Sequence, residues 1–457
     1  ASTPSTRIAM PSGPEATLSG PVTGGKGVSL TSAGSTDLAR AGYTESEYFA
    51  SGTAASYRYA GAHGKDGRWA VAPKDSATYR TRIVVRRPRD PQKFNGTLLV
   101  EWLNVTAGSD TSADFSTAGT EITRSGYAWV GVSAQQIGVQ GGAAVIPIAG
   151  LPNGGLRAAD PARYGSLHHP GDQYAFDIFS QIGRSLRSPG RTDALGGLRP
   201  QRMVAIGESQ SAFQLTTYID AIQPTARIFD GFFVHSRGGG AIPLTGGGIT
   251  TGIVGGIRIR DDIDVPVFLF ETETDLDLLH YVDASQPDSN HLRVWEVAGA
   301  AHADAYLLGG NANALGCHGE INTAPTHYVV EAALHRLDEW LRTGSPPASA
   351  PRLQVALAKG SLRVQRDAQG NAIGGVRTAA NDVPVAALSG DSADSSILCV
   401  LFGSTRPFDH ATIRRLYPTK AAYLAAFGRA TDKAIASGYL LPADRAAILA
   451  DAAKANV

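Results

Sequence analysis

The sequence is short of cysteine, of charge excess and of long apolar runs. Among 457 residues only Cys317 and Cys399 are cysteines. Neither lies in a CxxC or a Cys/His cluster, so no metal site is expected. No uninterrupted apolar stretch reaches the roughly 18–20 residues that cross a bilayer, so no membrane span is expected. Lys plus Arg and Asp plus Glu number 41 each, a formal net charge of zero. Without a positive excess or a basic run interleaved with aromatics, neither nucleic acid nor an anionic membrane is expected as a partner.

What is present suits a globular protein. Hydrophobic residues make up 43% of the chain, enough for a sizeable core. The length fits two or three domains, or one large domain with extensions. The chain opens on Ala1 and a polar lead, "STPSTRIAMPSGPEA". That lead reads as a mature N-terminus left by signal cleavage or as an artificial boundary; secretion is the expectation. In an exported chain two scarce cysteines are expected to pair as Cys317–Cys399, with two buried free thiols as the alternative.

Residues 1–75 are rich in Gly, Ser and Thr and carry no clear period, which predicts an N-terminal arm laid on a core. From residue 76 to 343 short apolar runs alternate with helical stretches. Arg80–Val85, "GTLLVEWL", "SGYAWVGVSAQ", "QRMVAIG", "FDGFFVHS", "DVPVFLFET" and "HLRVWEVAG" read as strands. Helices are predicted over Asp114–Arg124, over "HPGDQYAFDIFSQIGRSLRS" with Asp172 as its cap, over Gln210–Ile222 and over "THYVVEAALHRLDEWLRTG". Strand alternating with helix predicts an α/β fold, a mostly parallel sheet with helices on both faces. Ligands of such sheets bind outside the carboxyl ends of the strands. The Gly-rich stretch near 236–262 lacks the G-K-[ST] of a phosphate loop and reads as an insertion beside the site. The Pro/Ser-rich "GSPPASAPRL" sets a boundary. Residues 344–457 then form an extension packed over the core, with a hairpin in "LRVQRDAQGNAIGGV" and closing helices.

The chemistry-bearing residues follow the strands. "RMVAI" runs into "GESQS" and then into a helix. A serine on a sharp strand-to-helix turn projects its hydroxyl above the sheet. Gly207 gives the turn room, while Ser211 stands where the pattern G-x-S-x-G has its last glycine. The alternative is Ser209 as a plain helix cap. After the next strands come acids in "ETETDLDLL" and a histidine, His302, in "VAGAAHADAY". A serine nucleophile needs a base, and the base an orienting acid. His302 is the candidate base, or else a surface-loop histidine. Asp275 and Glu273 are alternative acids, while Glu271 belongs to the strand and Asp304 to backbone contacts. Oxyanion donors are sought at the Gln210 N–H and near Asn104 and Val105, although Asn104 also suits a purely turn-shaping role.

These residues resemble the α/β-hydrolase superfamily. A wider likeness, to bacterial α/β-hydrolase-domain proteins with a C-terminal extension, is carried by "GYTESEYFASGTA", "VEWLNVTAG", "GESQSA", "HSRGGG", "ETETDLD", "EVAGAAHAD" and "LFGSTRPFD". The resemblance implies an α/β-hydrolase fold and a serine hydrolase acting on small-molecule carboxylic esters through an acyl-enzyme at Ser209, with no metal or organic cofactor. It leaves open acyl transfer with the same residues, or a non-catalytic binding protein on the same scaffold. It implies no particular acyl group and no oligomeric state.

Overall fold

The apolar runs become the strands of one sheet. The computed structural model describes residues 13–32, 36–148, 154–247, 254–309 and 315–457. Its main strands are β1 (Thr17–Ser19), β2 (Tyr43–Tyr59), β3 (Val71–Pro88), β4 (Thr97–Trp102), β5 (Ala128–Val132), β6 (Arg202–Glu208), β7 (Gly231–His235), β8 (Val267–Thr272) and β9 (Leu292–Val297). They lie in the order β1-β2-β3-β5-β4-β6-β7-β8-β9. From β5 to the β9 edge all neighbours pair in parallel. β1, β2 and β3 pair antiparallel, as does β3 with β5.

The parallel strands β4–β9 are mostly apolar because both faces of the sheet are covered. The period of two sends Leu98, Val100 and Trp102 to one face and Leu99 and Leu103 to the other. The second face packs on Phe115, Ala118 and Ile122 of α1 (Ala113–Arg124). The first packs on α2 (Ala175–Arg187), whose Ile178, Ile182 and Leu186 recur every four residues, and on Leu215 of α3 (Gln210–Thr217). The loop after β8 turns through the short α4 (Glu273–Asp277). α5 (Thr326–Thr343) returns to the second face with Val330, Leu334 and Leu337, and Gly344 ends it at φ 75°. Each such side chain, moved from water to core, stabilises the fold by about 1.5–3 kcal/mol.

Beyond residue 344 come a hairpin of β10 (Val355–Ala358) and β11 (Ser361–Val364), a pair of β12 (Ala386–Ser389) and β13 (Ser404–Pro407), and helices α6 (Lys420–Ala436) and α7 (Arg445–Ala452). Tyr423, Phe427 and Ile448 join the second-face core. Val376 bridges to Val297 at the β9 edge, and Leu353 N–H donates to Glu296 at 2.9 Å. Cys317 and Cys399 form a disulfide.

Several expectations change. The arm expected over residues 1–75 contributes β1 and the 17-residue β2 to the sheet itself. β2 hides because its buried positions mix the small Ala50, Ala54 and Ser56 with the charged Glu47 and the adjacent aromatics Tyr48 and Phe49, which breaks the alternation. Its residues 1–12 and 33–35 lie outside those described. Asp172 does not cap α2: it begins a separate turn and accepts from Gln136 N–H at 2.8 Å and the Gln135 amide at 3.1 Å. The helix expected over Gln210–Ile222 leaves α geometry at Thr217 and closes with a π turn, Tyr218–Ile222. The ladder of the C-terminal hairpin spans 355–364 and overlaps only the start of the expected stretch, in whose remainder Arg366 and Ala372 form a single bridge. In the Gly-rich insertion Gly240–Ala241 pairs with Val254–Gly255; residues 248–253 are outside those described.

Candidate active site

Ser209 stands between β6 and α3 at φ 59°, ψ −118°. A non-glycine residue held there costs about 1–3 kcal/mol, so its surroundings must over-determine it. They do so from both sides. Ser209 N–H donates to His235 O at 2.9 Å, and the Asn104 amide donates to Glu208 O at 3.0 Å. A Cβ on Gly207 would lie 2.8 Å from Ser211 Cβ and 3.1 Å from a Leu215 methyl. The room for Ser211 thus comes from Gly207, which explains how the elbow dispenses with its usual last glycine. Ser211 is fully buried, and among the described residues its hydroxyl has no hydrogen-bond partner.

The acid is set by a helix start. Thr272 and Asp275 form a capping box: Asp275 N–H donates to Thr272 Oγ1 at 3.3 Å, and Thr272 N–H donates to Asp275 Oδ2 at 2.7 Å. One carboxylate oxygen is used in the cap, which leaves the other aimed outward. That oxygen, Oδ1, lies 2.6 Å from His302 Nδ1. A carboxylate only accepts, so Nδ1 carries the proton and Nε2 is left as an acceptor. Ser209 Oγ lies 2.7 Å from Nε2. His302 is further held by its own N–H, which donates to Thr274 Oγ1 at 3.1 Å, and Thr274 donates on to Gly390 O at 2.9 Å.

All three side chains are sheltered: Asp275 is fully buried, and Ser209 and His302 keep 8% and 7% of their surface. Burial alone pushes the His302 pKa down. The Asp275 carboxylate, through charge and hydrogen bond, and the Glu208 carboxylate push it up, and the imidazole ends above its ordinary value.

Sequence reasoning left Asp275 and Glu273 as alternatives, and geometry separates them. Glu273 turns away from His302. It accepts from Arg366 at 2.8 Å, from Gly390 N–H at 3.2 Å and from Gly299 N–H, so it fastens the C-terminal extension to the acid loop. Asp304 caps the turn after His302 by accepting from Leu307 N–H at 3.2 Å. Of the oxyanion candidates, Asn104 is engaged through its N–H, which donates to Thr111 O at 3.0 Å, and through its amide. Gln210 opens α3, where helix N–H groups have no intrahelical acceptor. Val105 follows Asn104 in the loop after β4 and is buried.

Three groups near Ser209 and His302 were missed. Glu208 Oε1 lies 3.8 Å from His302 Nε2. His235 Nδ1 lies 2.7 Å from Asp114 Oδ1, a second buried histidine–carboxylate pair behind the elbow. The available signals were a carboxylate beside the serine and a histidine ending the otherwise apolar "GFFVH". A cleft of about 780 Å³ opens between α4, the β10–β11 hairpin and residues 390–392. Thr274 lines it, but Ser209 and His302 do not. Cys317, Cys399 and Asp394 lie close together, yet the disulfide uses both thiolates, which leaves no metal-ligand set there.

The Alpha/beta hydrolase domain family matches residues 18–450, and the chain belongs to that family. Among solved structures the chain is similar to a putative dienelactone hydrolase from Klebsiella pneumoniae subsp. pneumoniae MGH 78578. The identity is 10%, over 64% of this chain and 98% of that one, with a TM-score of 0.33. It is similar also to an α/β serine hydrolase without a lid from Xanthomonas campestris (10% identity, 48% of this chain and 78% of that one, TM-score 0.28). A glucuronoyl esterase from Solibacter usitatus has 12% identity over 62% of this chain and 82% of that one, with a TM-score of 0.29. No curated protein matches the chain. The family assignment rests on the domain match.

Proposed function

We propose that this chain is a serine hydrolase of small-molecule carboxylic esters. The observation that carries the reading is the unbroken chain of contacts from Ser209 Oγ through His302 to Asp275, at 2.7 and 2.6 Å. In this reading Ser209 attacks the ester carbonyl and its proton moves to His302 Nε2. Asp275 holds the imidazole in the tautomer that accepts and stabilises the charge that forms. The Gln210 N–H, with the Val105 N–H as second donor, receives the oxyanion. His302 returns the proton to the leaving alcohol, and an acyl-enzyme remains. Water, deprotonated by the same imidazole, then adds to the acyl carbon and releases the acid and Ser209.

The division into core and extension is part of the proposal. Residues 344–457 serve the core by bracing the acid loop through Arg366 and Gly390. The disulfide, expected in an oxidising compartment, supports export as the protein's fate. No described helix is long and apolar enough to cross a membrane.

The test is turnover of p-nitrophenyl esters of graded acyl length by wild type and Ser209→Ala. The variant should lose turnover by at least about 10³-fold while melting like wild type. Undiminished turnover would overturn the reading.

A further inference from the structure

We propose that Glu208 is a positioning residue for His302, a second carboxylate that stabilises the imidazolium from the Nε2 side, and that His235, anchored by Asp114, holds Glu208 in place from the neighbouring strand. This rests on the reading of Ser209, His302 and Asp275 as the reacting set.

The geometry begins with the sheet. β6 and β7 are parallel neighbours, and their register sets Glu208 opposite His235. Opposed residues of adjacent strands project from the same face, so Glu208 stands beside His235 on one side and His302 on the other. The gap to His302 Nε2 is 3.8 Å, too long for a hydrogen bond and short for a charge. The side chains of Glu208 and His302 keep only 8% and 6% of their surface, so water screens the pair little.

His235 is anchored in turn. Its Nδ1 lies 2.7 Å from Asp114 Oδ1, and the second Asp114 oxygen is buried without a partner among the described residues. Asp114 opens α1, whose first turn is pinned by Glu101: Asp114 N–H and Phe115 N–H donate to it at 3.1 and 2.9 Å, and the Trp129 indole donates at 3.1 Å. Glu101 is itself buried, and burial together with Asp114 holds its pKa well above the usual range.

The groups facing Glu208 are His302 from the loop after β9, His235 from β7, Asp114 from α1 and Asp275 from α4. Burial pushes the Glu208 carboxyl up, the two imidazoles pull it down, and the two other carboxylates push it up; it settles at about 7. For His235, burial pulls down and Asp114 pushes up, and the net is a raised pKa that favours the imidazolium.

Asp275 neutralises the imidazole from Nδ1. The proton from Ser209 arrives at Nε2 and later leaves from there. Glu208 lies on that side and takes no proton in the step; it lowers the energy of the charge that appears. Since Glu208 and His302 are this close, they titrate as a pair, and the acid limb of the rate profile belongs to both.

The test compares wild type, Glu208→Gln, Glu208→Asp and His235→Gln in kcat, KM and the pH dependence of kcat/KM with p-nitrophenyl acetate. Glu208→Gln removes a charge that raises the His302 pKa. Its acid limb should therefore move to lower pH by about one unit and become a single-proton step, with plateau kcat down roughly tenfold and KM nearly unchanged. His235→Gln removes the imidazole that pulls the Glu208 pKa down, so its limb should move the opposite way, to higher pH. Glu208→Asp should retain the two-proton limb, and it decides the matter if the glutamine variant does not fold. An unmoved profile in Glu208→Gln, even with a reduced kcat, would make Glu208 a structural residue and overturn the proposal. A wild type that turns over no ester, and whose Ser209 no fluorophosphonate labels, would instead sink the underlying reading, and the proposal with it.

Discussion

The choice between two acids two residues apart decides how the site works. Asp275 spends one oxygen on the cap of α4 and offers the other to His302, whereas Glu273 spends its carboxylate on Arg366 and backbone N–H groups. Asp275→Asn should leave the fold intact and cut kcat by about 10⁴, because the amide no longer enforces the accepting tautomer at Nε2. Glu273→Gln should mainly cost stability, about 3 kcal/mol or less, since Asp391 remains as a second partner for Arg366. Ester kinetics and thermal melts of the two variants check this; the reverse pattern would exchange their roles. A second consequence concerns Ser211. Its hydroxyl is buried and unpartnered, so Ser211→Ala should be neutral or stabilise by about 1 kcal/mol with full activity, as read from denaturant unfolding. Ser209, Asp275 and His302 stood out in the sequence because each lies within five residues of a strand end. Glu208 did not, because a residue inside a motif reads as a spacer. His235 did not, because a polar residue closing an apolar strand reads as the strand's edge. What gives both a role is the pairing of β6 with β7, which no local pattern encodes.

Among elements, the acid loop and the histidine loop are braced by the C-terminal extension. Thr274 links the two by accepting from His302 N–H and donating to Gly390 O. Gly390 is there because nothing larger fits: a Cβ would lie 2.5 Å from Thr274 N and 2.6 Å from Glu273 Cβ. Gly390→Ala must push α4 aside. It should destabilise by about 1–3 kcal/mol and lower kcat more than it raises KM; an alanine variant with wild-type melting and kinetics would show that the brace is slack. The parallel strands were legible from their continuous apolar runs. β2 was not, since its unbroken buried run Glu47–Ala50 and its small buried residues Ala54 and Ser56 erase the alternation. The C-terminal hairpin was misplaced for a related reason. "DAQGNA" has turn chemistry and does turn, but the ladder forms where Lys359 and Gly360, at φ 50° and 81°, make a two-residue turn of the kind hairpins favour.

For the whole molecule, the family follows from the match across residues 18–450, and the proposed reaction rests on a constellation that the sheet assembles from three strand ends. Ser209, Asp275 and His302 are separated by 66 and 27 positions in the chain and meet only because β6, β8 and β9 run parallel and finish on one edge. The central claim is that this meeting makes Ser209 a nucleophile. Intact-mass analysis with peptide mapping after exposure of the folded protein to a fluorophosphonate tests it directly. The account predicts one adduct per chain, on the peptide holding Ser209, absent from Ser209→Ala. A folded chain that takes up no adduct, or an adduct elsewhere that persists in Ser209→Ala, would contradict it.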